Sequence, residues 1–286
     1  MSRSIGFRRA LAVVAGAVAI PVFVAVPSAD AATASWAPAG AATIHPGTQM
    51  YTDGAQCTAN FVFSDGASTY VGYAAHCAGA GAATDTDGCS TQSLPLGTPV
   101  TFNKGGSLIS SGAQVGAGTL AYSSWLAMQQ AGETDPDTCA YNDLALVKVD
   151  APYVGTVNPS VPFWGGPVAL ASQGTTAGDK VYSYGNSSLR AGIELLSPKT
   201  GLSLGDEGDG WSHTVYTVTP GIPGDSGSGF MDDSGNALGV LSTVAIAPLA
   251  GSNGVGDLAK ELAYANTHGV PGVALVPGTE AFAPII

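Results

Sequence analysis

Gly224-Asp225-Ser226-Gly227-Ser228-Gly229 is the stretch best suited to chemistry. Three glycines and two serines surround one acid. Each glycine weakens the interior of a helix or strand, so the hexamer predicts a tight turn. Such a turn presents Ser226 Oγ outward and aims nearby backbone N–H groups at one point. Acyl transfer needs that combination, a nucleophile beside an oxyanion hole. An ordinary Gly/Ser surface loop has the same composition, so the reading depends on partners elsewhere in the chain.

Two other residues have suitable surroundings. His76 lies in Ala74-Ala75-His76-Cys77, between small residues and directly before a cysteine. A bridge from Cys77 back to Cys57 would hold the imidazole in place and contribute roughly 3 kcal/mol by closing the loop. Taken alone, a histidine beside a cysteine also reads as structural. Asp143 opens the apolar run Leu144-Ala145-Leu146-Val147. A carboxylate at that point is largely buried and needs hydrogen-bond donors, of which a histidine Nδ1–H is one. A turn-capping aspartate is the plainer alternative.

The elements that must carry these residues are short strands. Residues 57–77 read as a β-hairpin: Phe61-Val62-Phe63, a turn at Ser64-Asp65-Gly66, and a return through Tyr70-Val71-Gly72-Tyr73. Residues 78–98 read as loop and contain Cys89, left with Cys139 for a second bridge. Strand-like runs follow at 99–103 and 107–115, and 119–129 fits strand or short helix equally. Residues 144–149 read as a strand. Four prolines in 150–167 mark a connector between two halves. In the second half 180–185, 211–218 and 237–246 read as strands. Residues 257–266 form the one convincing helix, capped by Asp257, stopped by Gly269, with Leu258, Leu262 and Ala265 on its packing face. The tail beyond Pro271 reads as irregular, and 32–43 as a loose leader. His45 and His213 read as surface histidines. The acidic groups Glu133 to Asp137 and Asp206 to Asp209 match no calcium-ligand spacing and read as solvated loops.

Composition agrees with a strand-rich protein. The 286 residues include 40 Gly and 18 Pro, and only 10% are charged. Long surface helices would need more Lys and Glu. The net charge of -12 argues against phosphate-backbone binding, so no nucleic-acid partner is expected. Residues 1–31 read as an export signal. Arg3, Arg8 and Arg9 precede an apolar run from Leu11 to Val26, broken by Pro21, and Ala29-Asp30-Ala31 supplies a cleavage site. The Arg8-Arg9 pair also allows twin-arginine export. No other segment is long and apolar enough to span a bilayer, so the expectation is a secreted, extracellular protein with no membrane partner. Four cysteines in an oxidising compartment predict two disulfides.

The order His76, Asp143, Ser226 unites the three signals. Chain order differs between unrelated folds that share this constellation. With the motifs Ala74-Ala75-His76-Cys77, Asn142-Asp143-Leu144-Ala145-Leu146 and Gly224-Asp225-Ser226-Gly227-Ser228, the chain resembles secreted chymotrypsin-like serine proteases, especially their bacterial branch. The likeness covers residues 44–269. It implies an all-β fold of two six-stranded antiparallel β-barrels with a C-terminal helix. The implied layout is a leader and first barrel to 150, a connector over 151–167, a second barrel over 168–255, the helix over 256–269 and a tail over 270–286. It implies His76 as base, Asp143 as its orienting acid, Ser226 as nucleophile, and the N–H groups of Gly224 and Ser226 as oxyanion hole. It implies hydrolysis of peptide bonds by a monomer acting on a protein or peptide, with no cofactor and no metal.

The chain departs from the family at several points. Tyr73 replaces a usual Thr or Ser, Ser228 a common Gly, and no cysteine lies near Ser226. The leader offers no obvious activation site whose new N-terminus would meet Asp225. Pro220 stands where a basic-specific enzyme carries an acid. Together with Ser242 and Val244 on the following strand it suggests a pocket for small or apolar P1 side chains. Two rivals are a catalytically silent binding module on the same fold and a secreted esterase using Ser226, Asp257 and His268. The second lacks the final glycine of the nucleophile elbow and its alternation of strands and helices.

Overall fold

The computed structural model describes residue 1 and residues 35–81, 86–244 and 251–284; of Val244 only the backbone is described. The expected export signal at 1–31 and the side chain of Val244 therefore lie outside the described residues.

The first half carries β1 (Gln49–Thr52), β2 (Ala55–Thr58), β3 (Val62–Ser64), β4 (Thr69–Ala74), β5 (Pro99–Lys104), β6 (Ala113–Ser123) and β7 (Leu144–Val149). Two short helices, α1 (Ser124–Ala131) and α2 (Pro136–Tyr141), separate β6 from β7. The second half carries β8 (Lys180–Tyr184), β9 (Pro198–Glu207), β10 (Ser212–Thr217), β11 (Gly229–Met231), β12 (Ala237–Val244) and β13 (Asn253–Asp257). Helix α3 (Leu258–His268) and the two-residue β14 (Ala274–Leu275) close the chain. Among the described residues no helix is long and apolar enough to cross a membrane.

The second half is a closed six-stranded barrel in the order β10-β13-β12-β11-β8-β9. The first is an eight-stranded curled sheet in the order β14-β3-β4-β7-β6-β5-β1-β2. Its two extra strands have simple origins. β2 and β3 are halves of one bent segment: Ala59 N–H still bonds to Thr48 O beside β1, and Asn60 N–H already bonds to Gly72 O on β4. Counted as one bent strand, this segment brings the ends of the sheet together. β14 comes from the tail, pairing Ala274 with Ser64 and Leu275 with Phe63.

Apolar side chains explain the order. β4 is buried along its whole length, and β7 exposes only Lys148. Phe61, Phe63, Phe102, Leu120, Leu144 and Leu146 fill the first core, and each large apolar side chain so buried contributes about 1.5–3 kcal/mol. Helix α3 buries Leu258, Leu262 and Ala265, as its spacing predicts, and also Glu261 and Tyr264. Asp257 caps it by accepting from Lys260 N at 2.8 Å.

Several expectations need correction. Residues 107–112 join β5 to β6 without being strand, and 119–129 divides at Ser123 into the end of β6 and the start of α1. The leader is tied down from Ala37, whose N–H donates to Val157 O and whose carbonyl accepts from Asn158 Nδ2. The tail is fixed by β14 and by Gly166 N–H donating to Glu280 O. The acidic stretches are occupied by the protein's own donors. Asp135 caps α2 by accepting from Thr138 N and Oγ1, and Asp206 accepts from Thr175 N. His45 is half-buried, and burial lowers its pKa.

Candidate active site

β4 ends at Ala74, and a 3-10 turn over Ala75–Ala78 carries His76 out of the sheet. β7 starts one residue after Asp143 and pairs with β4, Ala74 opposite Leu144. Neighbouring strand ends therefore deliver the two residues side by side. Ala75 N–H donates to Asp143 O at 2.8 Å, and His76 N–H to Asp143 Oδ1 at 2.8 Å. The His76 ring meets Asp143 Oδ2 through Nδ1 at 2.7 Å.

Ser242 Oγ donates to the same Asp143 Oδ2 at 2.6 Å. Asp143 is buried, and its carboxylate has these three donors. Its own N–H donates to Glu261 Oε1 on α3 at 2.9 Å. Burial depresses the His76 pKa, but the charge of Asp143 and its hydrogen bond outweigh that, and the net direction is upward.

The loop carrying Ser226 is stitched to both halves. Thr58 N–H donates to Ser226 O at 2.8 Å, and Gly227 N–H donates to Leu241 O at 2.7 Å, next to Ser242. Gly227 has φ +87°, and a Cβ there would stand 2.7 Å from Thr58 O and 2.8 Å from Ala74 N, so the close approach to β4 requires glycine. The Cys57–Cys77 disulfide joins the neighbour of Thr58 to the neighbour of His76. A single covalent link thus flanks the contact to Ser226 on one side and the imidazole on the other. Cys89–Cys139 is the second bridge.

Of the loop's N–H groups, those of Asp225, Gly227 and Ser228 are used, donating to Ile222 O, Leu241 O and Asp225 O. Among the described residues those of Gly224 and Ser226 donate to no acceptor. Neither Ser226 Oγ nor His76 Nε2 has a hydrogen-bond partner among them. The Gly224 carbonyl is held from behind by Thr58 Oγ1 at 2.7 Å and Gln56 Nε2 at 3.1 Å.

Asp225 is wholly buried. Arg190 Nη2 lies 2.6 Å and Lys199 Nζ 3.0 Å from its Oδ2, and Ser187 N–H and Ile222 N–H donate to its two oxygens. Burial lowers the Lys199 pKa, and the Asp225 charge acts against that. Arg190 and Lys199 also donate to the carbonyl of Pro220. Sequence reading singled out neither cation.

Other expected residues fall elsewhere. Ser242, expected at a substrate pocket, turns its hydroxyl to Asp143. Pro220 is exposed beside the serine loop. His213 is not a surface residue but fully buried, with Nδ1 2.7 Å from Asp206 and Nε2 3.1 Å from Asp257. Burial lowers its pKa, yet its bonds to Asp257 and Asp206 and their charges make the net direction upward. Asp257 thus faces His213 and the start of α3, and His268 stacks on Tyr264 with ring centroids 4.0 Å apart. That leaves the esterase constellation without geometric support. A cavity of about 540 Å³ beside the leader and connector is lined by His45, Lys104, Trp164 and Tyr184, and not by His76, Asp143 or Ser226.

No protein-family model matches the chain, and no curated protein does. In fold the chain resembles bacterial chymotrypsin-like serine proteases. Thermobifida fusca protease A aligns with a TM-score of 0.48 and 19% identity, over 82% of this chain and 99% of that one. The Nocardiopsis protease NAPase gives 0.46 and 17%, over 81% and 98%. Cellulomonas bogoriensis chymotrypsin gives 0.45 and 16%, over 82% and 98%.

Proposed function

We propose that the chain is a secreted serine endopeptidase acting through Ser226, His76 and Asp143. The observation that carries this reading is the pair of N–H groups on Gly224 and Ser226 that have no acceptor among the described residues, beside a serine whose loop meets the strand that leads to His76. Ser226 Oγ attacks the scissile carbonyl and His76 Nε2 takes its proton. The carbonyl oxygen gathers charge where Gly224 and Ser226 donate, and one such donor is worth roughly 3 kcal/mol. The tetrahedral intermediate collapses as His76 protonates the leaving amine, and water then hydrolyses the acyl-enzyme by the same steps. Asp143 fixes the His76 tautomer and stabilises the imidazolium. The reading needs no metal and no cofactor, and it takes a protein or peptide as substrate for a monomer.

The absence of an acid at Pro220 favours small or apolar P1 side chains. Arg190 and Lys199 occupy the Pro220 carbonyl, so a basic P1 side chain would meet cations there. A peptide-library profile dominated by Lys or Arg at P1 would overturn that specificity.

Covalent labelling by a fluorophosphonate, mapped by peptide mass spectrometry, tests the activity. Labelling at Ser226 that is lost in Ser226→Ala and in His76→Ala supports the endopeptidase. A catalytically silent binding module on the same fold is the alternative, favoured by the unmade hydrogen bond between Ser226 Oγ and His76 Nε2. Hydrogen bonds of this kind commonly tighten only when substrate is bound. A folded, disulfide-bonded sample that stays unlabelled is an unprocessed precursor or a binding module, and one that still resists labelling after mild proteolysis is the binding module.

A further inference from the structure

Glu261 is a fully buried acid that the proposed reaction leaves unused. It lies on the packing face of α3, one turn beyond the Asp257 cap, where an apolar side chain would be expected. Its Oε1 accepts one hydrogen bond, from the N–H of Asp143. Its Oε2 is buried and has no partner among the described residues. Gly256 makes room for the carboxyl, since a Cβ there would stand 2.5 Å from Oε1.

The charges around Glu261 are of the wrong sign for a carboxylate. α1, β7, β12 and β13 pack against α3. α1 and β12 carry no titratable side chain, and Lys148 of β7 is exposed to solvent. The end of β13 supplies Asp257, and the residue before β7 supplies Asp143. On its own helix, Tyr264 turns to Glu133 at 3.4 Å. Lys260 turns away, donating to Asp209 O at 2.7 Å with its ammonium 5.5 Å from the Trp211 ring centre. His213 stands behind Asp257 and is engaged by two carboxylates. The Tyr122 hydroxyl of β6 is close enough to feel the Glu261 charge and is itself buried without a partner among the described residues. A buried carboxylate with one donor among the described residues and acidic neighbours is strongly disfavoured, and the group neutralises instead. Burial accordingly pushes the Glu261 carboxyl well above its ordinary range. The Asp143 N–H opposes that shift, and the charges of Asp143 and Asp257 add to it.

The geometry points to Glu261 as a positioning residue, a neutral carboxylic acid that fixes the backbone of Asp143 through its N–H. This role rests on the proposed endopeptidase reading. The Asp143 carboxylate can aim both oxygens at His76 only if its peptide N–H is satisfied elsewhere. Glu261 satisfies it without adding a second negative charge beside the His76–Asp143 pair. Neutrality matters, because a further anion there would stabilise the imidazolium and hold His76 protonated to higher pH.

Glu261→Gln in the full chain is the test, because a glutamine keeps an acceptor and a donor but cannot ionise. The kcat/KM of Glu261→Gln at neutral pH is expected within about twofold of wild type, with the acid limb of the pH profile at the same midpoint. Glu261→Leu removes the acceptor and is expected to lower kcat by as much as about 100-fold with KM little changed. An acid limb displaced to lower pH in Glu261→Gln would show that Glu261 is an anion and overturn the proposal. So would wild-type kcat in Glu261→Leu.

A second readout needs no activity. An acid with a raised folded pKa holds a proton that the unfolded chain releases. The stability difference between wild type and Glu261→Gln therefore declines as pH rises above about 4.3. A flat difference overturns the neutral acid. If that slope is present but Ser226 is unreactive, the endopeptidase reading falls and takes the positioning role with it.

Discussion

Lys199 and Asp225 form an ion pair wholly out of solvent, with Lys199 Nζ 3.0 Å from Asp225 Oδ2. Arg190 joins the same oxygen at 2.6 Å. Asp225 lies between the two residues whose N–H groups donate to no acceptor among the described residues, so its anchoring holds the loop that carries both. Its cations come from β9 and from the segment between β8 and β9. The charge at Asp225 is therefore met by cations from within the second half of the chain.

Asp225→Asn should accordingly be more damaging than loss of a surface charge. Arg190 would keep its charge and lose its buried anion, and Lys199 would lose the charge that holds its proton, at a cost of about 3–5 kcal/mol. Urea unfolding measures that loss. Turnover should fall with it, since the loop that carries Gly224 and Ser226 loses its anchor to Ser187 and Ile222.

Activity should rise with pH as His76 loses its proton. The acid limb is expected above the ordinary histidine value of about 6.5, because Asp143 favours the imidazolium. Asp143→Asn should lower kcat by about 10⁴-fold, since the imidazole loses its orienting acceptor. A pH–rate profile and a single-turnover measurement check the two statements.

Ser242→Ala removes one of two groups converging on Asp143 Oδ2. A hydrogen bond to a charged group contributes about 1.5–3 kcal/mol, so kcat should drop by about 10- to 100-fold. A change confined to KM would instead place Ser242 in substrate binding alone.

His213 should show itself in stability and not in turnover. Its folded pKa is raised, so its contribution is present below about 6.5 and is lost as pH rises through the folded value. His213→Ala leaves Asp206 and Asp257 without their shared partner, and about 3 kcal/mol should go at low pH. Thermal melts of both proteins across pH should converge on the alkaline side.

The three motifs were readable because each combines a reactive side chain with local small residues or cysteines. The hairpin and α3 were readable from apolar spacing. β9 was not, because its pattern is inverted. Lys199 and Ser203 point inward, while Leu202 and Leu204 face solvent. Apolar alternation carries no signal for such a strand, and the cation partner of Asp225 was hidden with it. The His213 misreading had a usable clue. His213, Val215 and Thr217 alternate on the inward face of β10, so a period of two places the imidazole inside. Glu261 was visible as an acid among apolar neighbours on α3, but its partner 118 residues away was not.

The carboxyl of Glu261 reaches Asp143 from a helix near the end of the chain, and β14 borders β3 from later still. Synthesis runs from the other end. A ribosome that has finished β7 has delivered His76 and Asp143, yet over a hundred residues must follow before the acid that backs Asp143 is made. The half built first is therefore completed last, and a nascent chain cannot carry a fully backed His76–Asp143 pair before its C-terminal helix has emerged.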